Sequence, residues 1–147
     1  MFSIDSVMSK DLITVHPDGN LADARTKMRV NHIHHLPVVD DDDNLVGLLT
    51  LTNVLAATDS ILRGDSDRIH ADEIRVEEVM VTDLATIDEQ AGLRQAALFL
   101  EKHRIGCLPV VTDGKLRGII TDTDFVAIAI NLLEQIENSE PVDEQYG

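Results

Sequence analysis

Apolar and polar positions along the chain run through one series of periods, and then run through it again. "LITV" (residues 12–15) is a short β-type apolar run. "LADARTKMRVNH" (21–32) follows, with Leu21, Ala24 and Met28 recurring at the spacing of one helix face. "LPVV" (36–39) predicts a buried strand, "DDDDN" (40–44) a polar turn, and "LVGLL" (45–49) a second strand, so the three together predict a hairpin. A second helical run begins after Thr50. The series then repeats as "LATI", as "LRQAALFLEKHR" with Leu93, Ala96, Ala97 and Leu100 on one face, and as "LPVV", "TDGK" and "LRGII" before a helix after Thr121. The pattern predicts β-α-β-β-α, twice.

The second series is a copy of the first. "VMSKDLITV" (7–15) lies on "VMVTDLATI" (79–87), and "IHHLPVVDD" (33–41) on "IGCLPVVTD" (105–113), at an offset of 72 residues. One residue is lost at the turn, after which "NLVGLLTLTNVL" lies on "KLRGIITDTDFV" at 71. A single unit would have a three-stranded sheet with both helices on one face. Two units packed sheet to sheet bury what each leaves open, which predicts one α+β module with a pseudo-two-fold axis. The boundaries expected are 6–55 for the first repeat, 56–77 for a linker broken at "RGDSD", 78–130 for the second repeat, and 131–147 for a helix end and a flexible acidic tail.

Composition narrows the function classes. The chain has 147 residues, 44% of them apolar and only 3% aromatic, so its core must be aliphatic. A net charge of −15 opposes binding to nucleic acid. The one cysteine, Cys107, lies in an apolar run and is expected to be buried and inert. No apolar segment reaches the ~20 residues of a membrane helix, and the first residues lack the pattern of a signal peptide. A cytoplasmic protein with no membrane association is the expectation.

Candidate chemistry gathers at two places. The first is the Thr-x-x-Asp of "GIITDTDF" (118–125), echoed by "GLLTLTNV" (47–54). Thr121 and Asp124 have the spacing of a capping box at a helix start. The same geometry is a candidate anion and ribose site, because a helix N-terminus attracts phosphate and a carboxylate accepts from cis-hydroxyls. Asn53 stands where Asp124 stands, without its charge, so a cleft built on Thr50 and Asn53 is expected to be the weaker. The second place is the end of each first helix, where "RVNHIHH" and "EKHRIG" put Arg29, His32, His34, His35, Lys102, His103 and Arg104 in equivalent positions. His34 and Arg104 are the candidate phosphate contacts; the alternative is that these cations only favour the negative ends of the helices. The spacing is wrong for a specific metal site. No Gly-rich phosphate loop, catalytic triad or paired carboxylates are present, so no enzyme is expected.

Taken in order, "VMSKDLITVHPDGNLADA", "HIHHLPVVDDDDNLVGLLTLTNVL", "VMVTDLATIDEQAGLRQAA" and "HRIGCLPVVTDGKLRGIITDTDF" resemble a tandem pair of cystathionine-β-synthase (CBS) domains, a Bateman module. The resemblance implies a stand-alone regulatory module that senses an adenosyl ligand (AMP, ADP, ATP or S-adenosylmethionine) and modulates a partner. It implies a homodimer of pairs and no required cofactor. It also implies clefts between the repeats. Thr121 and Asp124 would hold phosphate and ribose, with Ile13 and Ile33 sandwiching the base beside Ile119, His34, Gly106 and Met8. The weaker cleft would combine Thr50 and Asn53 with Ala85, Ile105, Gly106 and Arg104. The alternative is a dimerising interaction module that binds no nucleotide.

Overall fold

The computed structural model describes residues 3–62 and 71–139. The "RGDSD" break and the tail from residue 140 lie outside them. The chain forms α1 (Ile4–Val7), α2 (Leu21–Asn31), the hairpin β1 (His35–Val39) and β2 (Leu45–Thr50), and α3 (Leu51–Leu62). Two single 3-10 turns follow at Ala71–Glu73 and Val76–Glu78. Next come β3 (Ile87–Asp88), α4 (Leu93–His103), the hairpin β4 (Cys107–Thr112) and β5 (Lys115–Thr121), and α5 (Asp122–Ser139).

Local chemistry explains the boundaries. Asn20 caps α2 by accepting the Asp23 N–H at 2.8 Å. Both first helices end on a left-handed residue, His32 at φ 54° and Arg104 at φ 52°, where glycine is the favoured residue. In the first hairpin the Asp40 carboxylate accepts the N–H groups of Asp42 and Asn44 at 2.9 Å each. The two turns also clip together. Leu45 N–H donates to the Gly114 carbonyl and Leu116 N–H to the Asp43 carbonyl, both at 3.1 Å. Lys115 Nζ reaches the Asp42 carbonyl at 2.7 Å.

The expected first strands are mostly not strands. Of "LITV" only Val15 enters the ladder, as one parallel bridge to Val38. In the second repeat the parallel partner of β4 is the two-residue β3. Residues 12–14 and 84–85 run on half-buried without a ladder. The sequence shows apolar runs there, but a parallel partner exists only for their last residues.

Each repeat has its own core, and each borrows from the other's stretch of chain. The first is built on Leu21, Leu36, Val38, Leu49 and Val54, and takes in Val76 as well. Val76 is fully buried although it falls in the stretch expected to be linker. The second is built on Leu108, Val110 and Ile120 and takes in Ile4 and Met8 from the chain's first residues. These segments also close the sheet edges. Ser9 pairs with Ile119, and its counterpart Val81 pairs with Leu48, each through two backbone hydrogen bonds of 2.8–3.1 Å. Gly118 and Gly47 permit the approach: a Cβ at either would lie 2.5 Å from the Sδ of Met8 or Met80, respectively. The result is a pseudo-two-fold α+β module whose sheets and helices repeat.

Candidate ligand clefts between the repeats

Both capping sequences cap, but each makes a different half of the capping box. At α3, Thr50 Oγ1 accepts the Asn53 N–H at 3.1 Å. At α5, Asp124 Oδ2 accepts the Thr121 N–H at 2.8 Å and lies 3.4 Å from Thr121 Oγ1. Thr121 Oγ1 also sits 2.8 Å from Thr123 Oγ1. The Asp124 carboxylate retains accepting capacity, since two oxygens offer about four lone-pair sites. The capping role and the ligand role are therefore compatible in one side chain.

The loop before each "LPVV" is tied to the start of the following helix. The His34 carbonyl accepts the Leu51 N–H at 2.9 Å, and the Gly106 carbonyl accepts the Asp122 N–H at 3.2 Å. Within the hairpins, His35 is paired with Thr50 and Cys107 with Thr121. The first residue of each inner strand thus stands opposite the capping threonine.

A cavity of about 590 Å³ opens between the repeats. The first repeat contributes Thr50, Leu48 and His35 to it. Ala85, Ile105, Gly106 and Cys107 line it from the second, with Asp83 and His103 as further polar groups and Phe99 beside them. It brings together Thr50, Ala85, Ile105 and Gly106, all expected to share a cleft. Asn53 is half-buried behind the cap and is not in the cavity wall, and neither is Arg104. Arg104 is exposed and borders a separate groove of about 400 Å³ with Gly106, Asp122 and Phe125.

The residues expected around Thr121 are placed as follows. Thr121, Asp124, Ile119, Ile13 and Ile33 are half-buried. Ile13 and Ile33 pack on the first core. Met8 is buried in the second core against Gly118. The His34 side chain is exposed.

Two imidazoles line the cavity, and neither stands out in the sequence as a leading phosphate candidate. His103 stacks on Phe99 with ring centroids 4.3 Å apart. Burial holds the His35 pKa below its ordinary value, the neighbouring His34 adds to this, and Asp122 across the repeat junction opposes it. The signal that could have found His35 is alternation: it falls on the opposite side of the strand from His34. The Cys107 thiol is pushed up to about 12, first by burial and then by Asp122 and Asp124, so it stays protonated. Among the described residues no group of three or more His, Cys, Asp or Glu side chains is placed to hold a metal. No helix among them is long and apolar enough to cross a membrane.

Comparison with known proteins identifies the fold's relatives. The CBS domain family model matches residues 4–60 and again 76–131. A CBS domain-containing protein of Dictyostelium discoideum is 32% identical over 137 residues, which cover 90% of this chain and 94% of that protein. Inosine-5′-monophosphate dehydrogenase of Methanocaldococcus jannaschii is 34% identical over 83% of this chain, but the match spans only 22% of the enzyme. Among solved structures, one described as an acetoin utilization protein (AcuB) from Vibrio cholerae superposes with a TM-score of 0.80. It is 42% identical and covers 96% of this chain and 99% of its own. CBSX2 from Arabidopsis thaliana, solved in complex with AMP, has a TM-score of 0.77 at 27% identity over 90% of this chain and 98% of its own. The CBS domain pair of the protein MJ0100, in complex with 5′-methylthioadenosine and S-adenosyl-L-methionine, has a TM-score of 0.75 at 25% identity over 89% and 98%. With two matched repeats that span most of its length, this chain belongs to the CBS domain family as a tandem pair.

Proposed function

We propose that the chain is a regulatory, non-catalytic module of the cytoplasm that takes an adenosyl ligand between its repeats and passes the occupancy on to a partner protein. The observation that carries this reading is the cavity joining Thr50 of one repeat to Ala85 and Ile105 of the other. A ligand there touches both repeats and so biases how they sit together. AMP in one structural relative, and S-adenosyl-L-methionine with 5′-methylthioadenosine in another, support the ligand class. In the second cleft, Ile13 and Ile33 hold the base, Asp124 accepts from the ribose, Thr121 meets the phosphate, and Ile119, His34, Gly106 and Met8 complete the surroundings. The identity to the Vibrio cholerae protein extends the proposal to acetoin utilization as the process regulated.

Thermal unfolding with AMP, ADP, ATP and S-adenosylmethionine tests it, because a ligand that binds only the folded state raises the midpoint. A raised midpoint with at least one of the four is expected. No shift at millimolar concentration with any of them rules the reading out.

A second reading has its own observation. None of the 18 residues of α5 is buried. Val126, Ile130, Leu133 and Ile136, on one side of it, are 53–57% exposed. Such a stripe on a helix calls for a partner. We infer that it is a homodimer contact, which serves the sensor equally and would be the main function of a module without a nucleotide.

A further inference from the structure

We propose that His35 makes the Thr50 cleft selective for phosphate-bearing adenosyl ligands over cationic S-adenosylmethionine, and couples their binding to uptake of a proton. This rests on the adenosyl reading above and concerns which members of that class the cleft takes.

The asymmetry between the two clefts is what points to it. His35 and Cys107 are equivalent residues, each paired with the threonine that heads the next helix. At the Thr121 position the partner is a thiol kept neutral beside Asp122 and Asp124, so that position adds no proton-dependent positive charge for a phosphate. At the Thr50 position the partner is an imidazole, and His35, Thr50 and His103 all border the same cavity. The N-terminal end of the 12-residue α3 adds partial positive charge there. The groups facing His35 are His34 beside it in the chain, Asp122 across the junction, and Asp83, His103 and the Cys107 thiol around the cavity.

Burial disfavours the His35 imidazolium. A phosphate entering the cavity favours it, so the pKa of His35 rises on binding and a proton is taken up. By linkage, phosphate-bearing ligands bind more tightly as pH falls. A sulfonium gains nothing from the same protonation and is repelled by it.

The test uses the Asp124→Ala chain, in which the other cleft is weakened, and titration calorimetry with AMP and with S-adenosylmethionine. The window lies between about pH 8 and about pH 6.5, above the second ionisation of a phosphate near ~6. AMP should tighten about threefold across it, within the ~tenfold per pH unit that one proton allows, while S-adenosylmethionine does not tighten. His35→Gln in the same background should still bind AMP, with the pH effect gone. Tightening of AMP that survives His35→Gln, or equal tightening of both ligands, overturns the proposal. Should His35→Gln fail to fold, titrating AMP into the unmutated chain in two buffers of different ionisation heat decides the same question: net proton uptake supports the role, and none removes it. Absence of binding by AMP, ADP, ATP and S-adenosylmethionine alike to the unmutated chain ends the adenosyl reading itself, whereas binding of AMP with a flat pH profile ends only the role of His35.

Discussion

Asp124 serves folding and, on our reading, recognition, and its variants separate the two. Asp124→Asn keeps an oxygen to accept the Thr121 N–H seen at 2.8 Å but loses the charge. It should cost little stability and still weaken ribose binding. Asp124→Ala should lose both, with the cap worth about 1 kcal/mol. Equal ligand affinity in all three chains would show that Asp124 only caps. The left-handed residues make a second case. Arg104 at φ 52° occupies a position that glycine holds without steric penalty. Arg104→Gly should therefore raise stability by about 1 kcal/mol in denaturant unfolding. A loss would mean that the guanidinium makes a contact worth more than the strain. His35 gives a pH signature to the ligand-free chain. Its folded pKa is lowered from 6.5, so the unfolded chain binds the proton more readily. Stability from this source is present above 6.5 and is lost as pH falls below it toward the folded value. His35→Gln should flatten that part of the profile, and an unchanged acid slope would contradict it.

The elements show where sequence reading succeeds and where it stops. The two hairpins follow from their apolar runs and polar turns, α2 and α4 from helical spacing, and α3 and α5 from the threonine that ends each hairpin. The strands expected at "LITV" and "LATI" shrink to Val15 and to Ile87–Asp88, since apolar residues report burial and not the presence of a ladder partner. The exchange of segments was not legible either. Nothing local in Ile4 or Val76 says which core it enters; only the three-dimensional pairing of Ser9 with Ile119 and of Val81 with Leu48 decides it. Ile4→Ala should therefore cost about 2–5 kcal/mol, as a full core truncation does, although Ile4 stands at the very start of the chain. A cost under about 1 kcal/mol would mean that this segment is dispensable to the second core. For α5, Ile130→Asp with Leu133→Asp should convert a dimer to a monomer by light scattering after size exclusion, without unfolding it. A monomeric unmutated chain would leave the stripe to some other partner.

At the scale of the whole molecule, duplication is the main fact, and on our proposal departures from symmetry set what each cleft takes. The frame is shared: a threonine before each second helix and a basic cluster after each first helix. That much is legible in one sequence, because copies can be compared position by position. The clefts themselves were less so. Thr50, Ala85, Ile105 and Gly106, grouped in one cleft only by the family resemblance, line one cavity, but Arg104 faces a different groove and His35 with His103 line the cavity. Side-chain direction at a strand's first residue depends on the hairpin partner, which the chain does not spell out.

Titration calorimetry of the unmutated chain with AMP and S-adenosylmethionine addresses the central claim most directly. Saturable binding of at least one of them is the predicted result, weakened at least tenfold for one class of site by Asp124→Ala, a difference of about 1.4 kcal/mol. Flat titrations with both ligands, and with ADP and ATP, at millimolar concentration would contradict it, and would leave a duplicated module whose clefts serve only to join its halves.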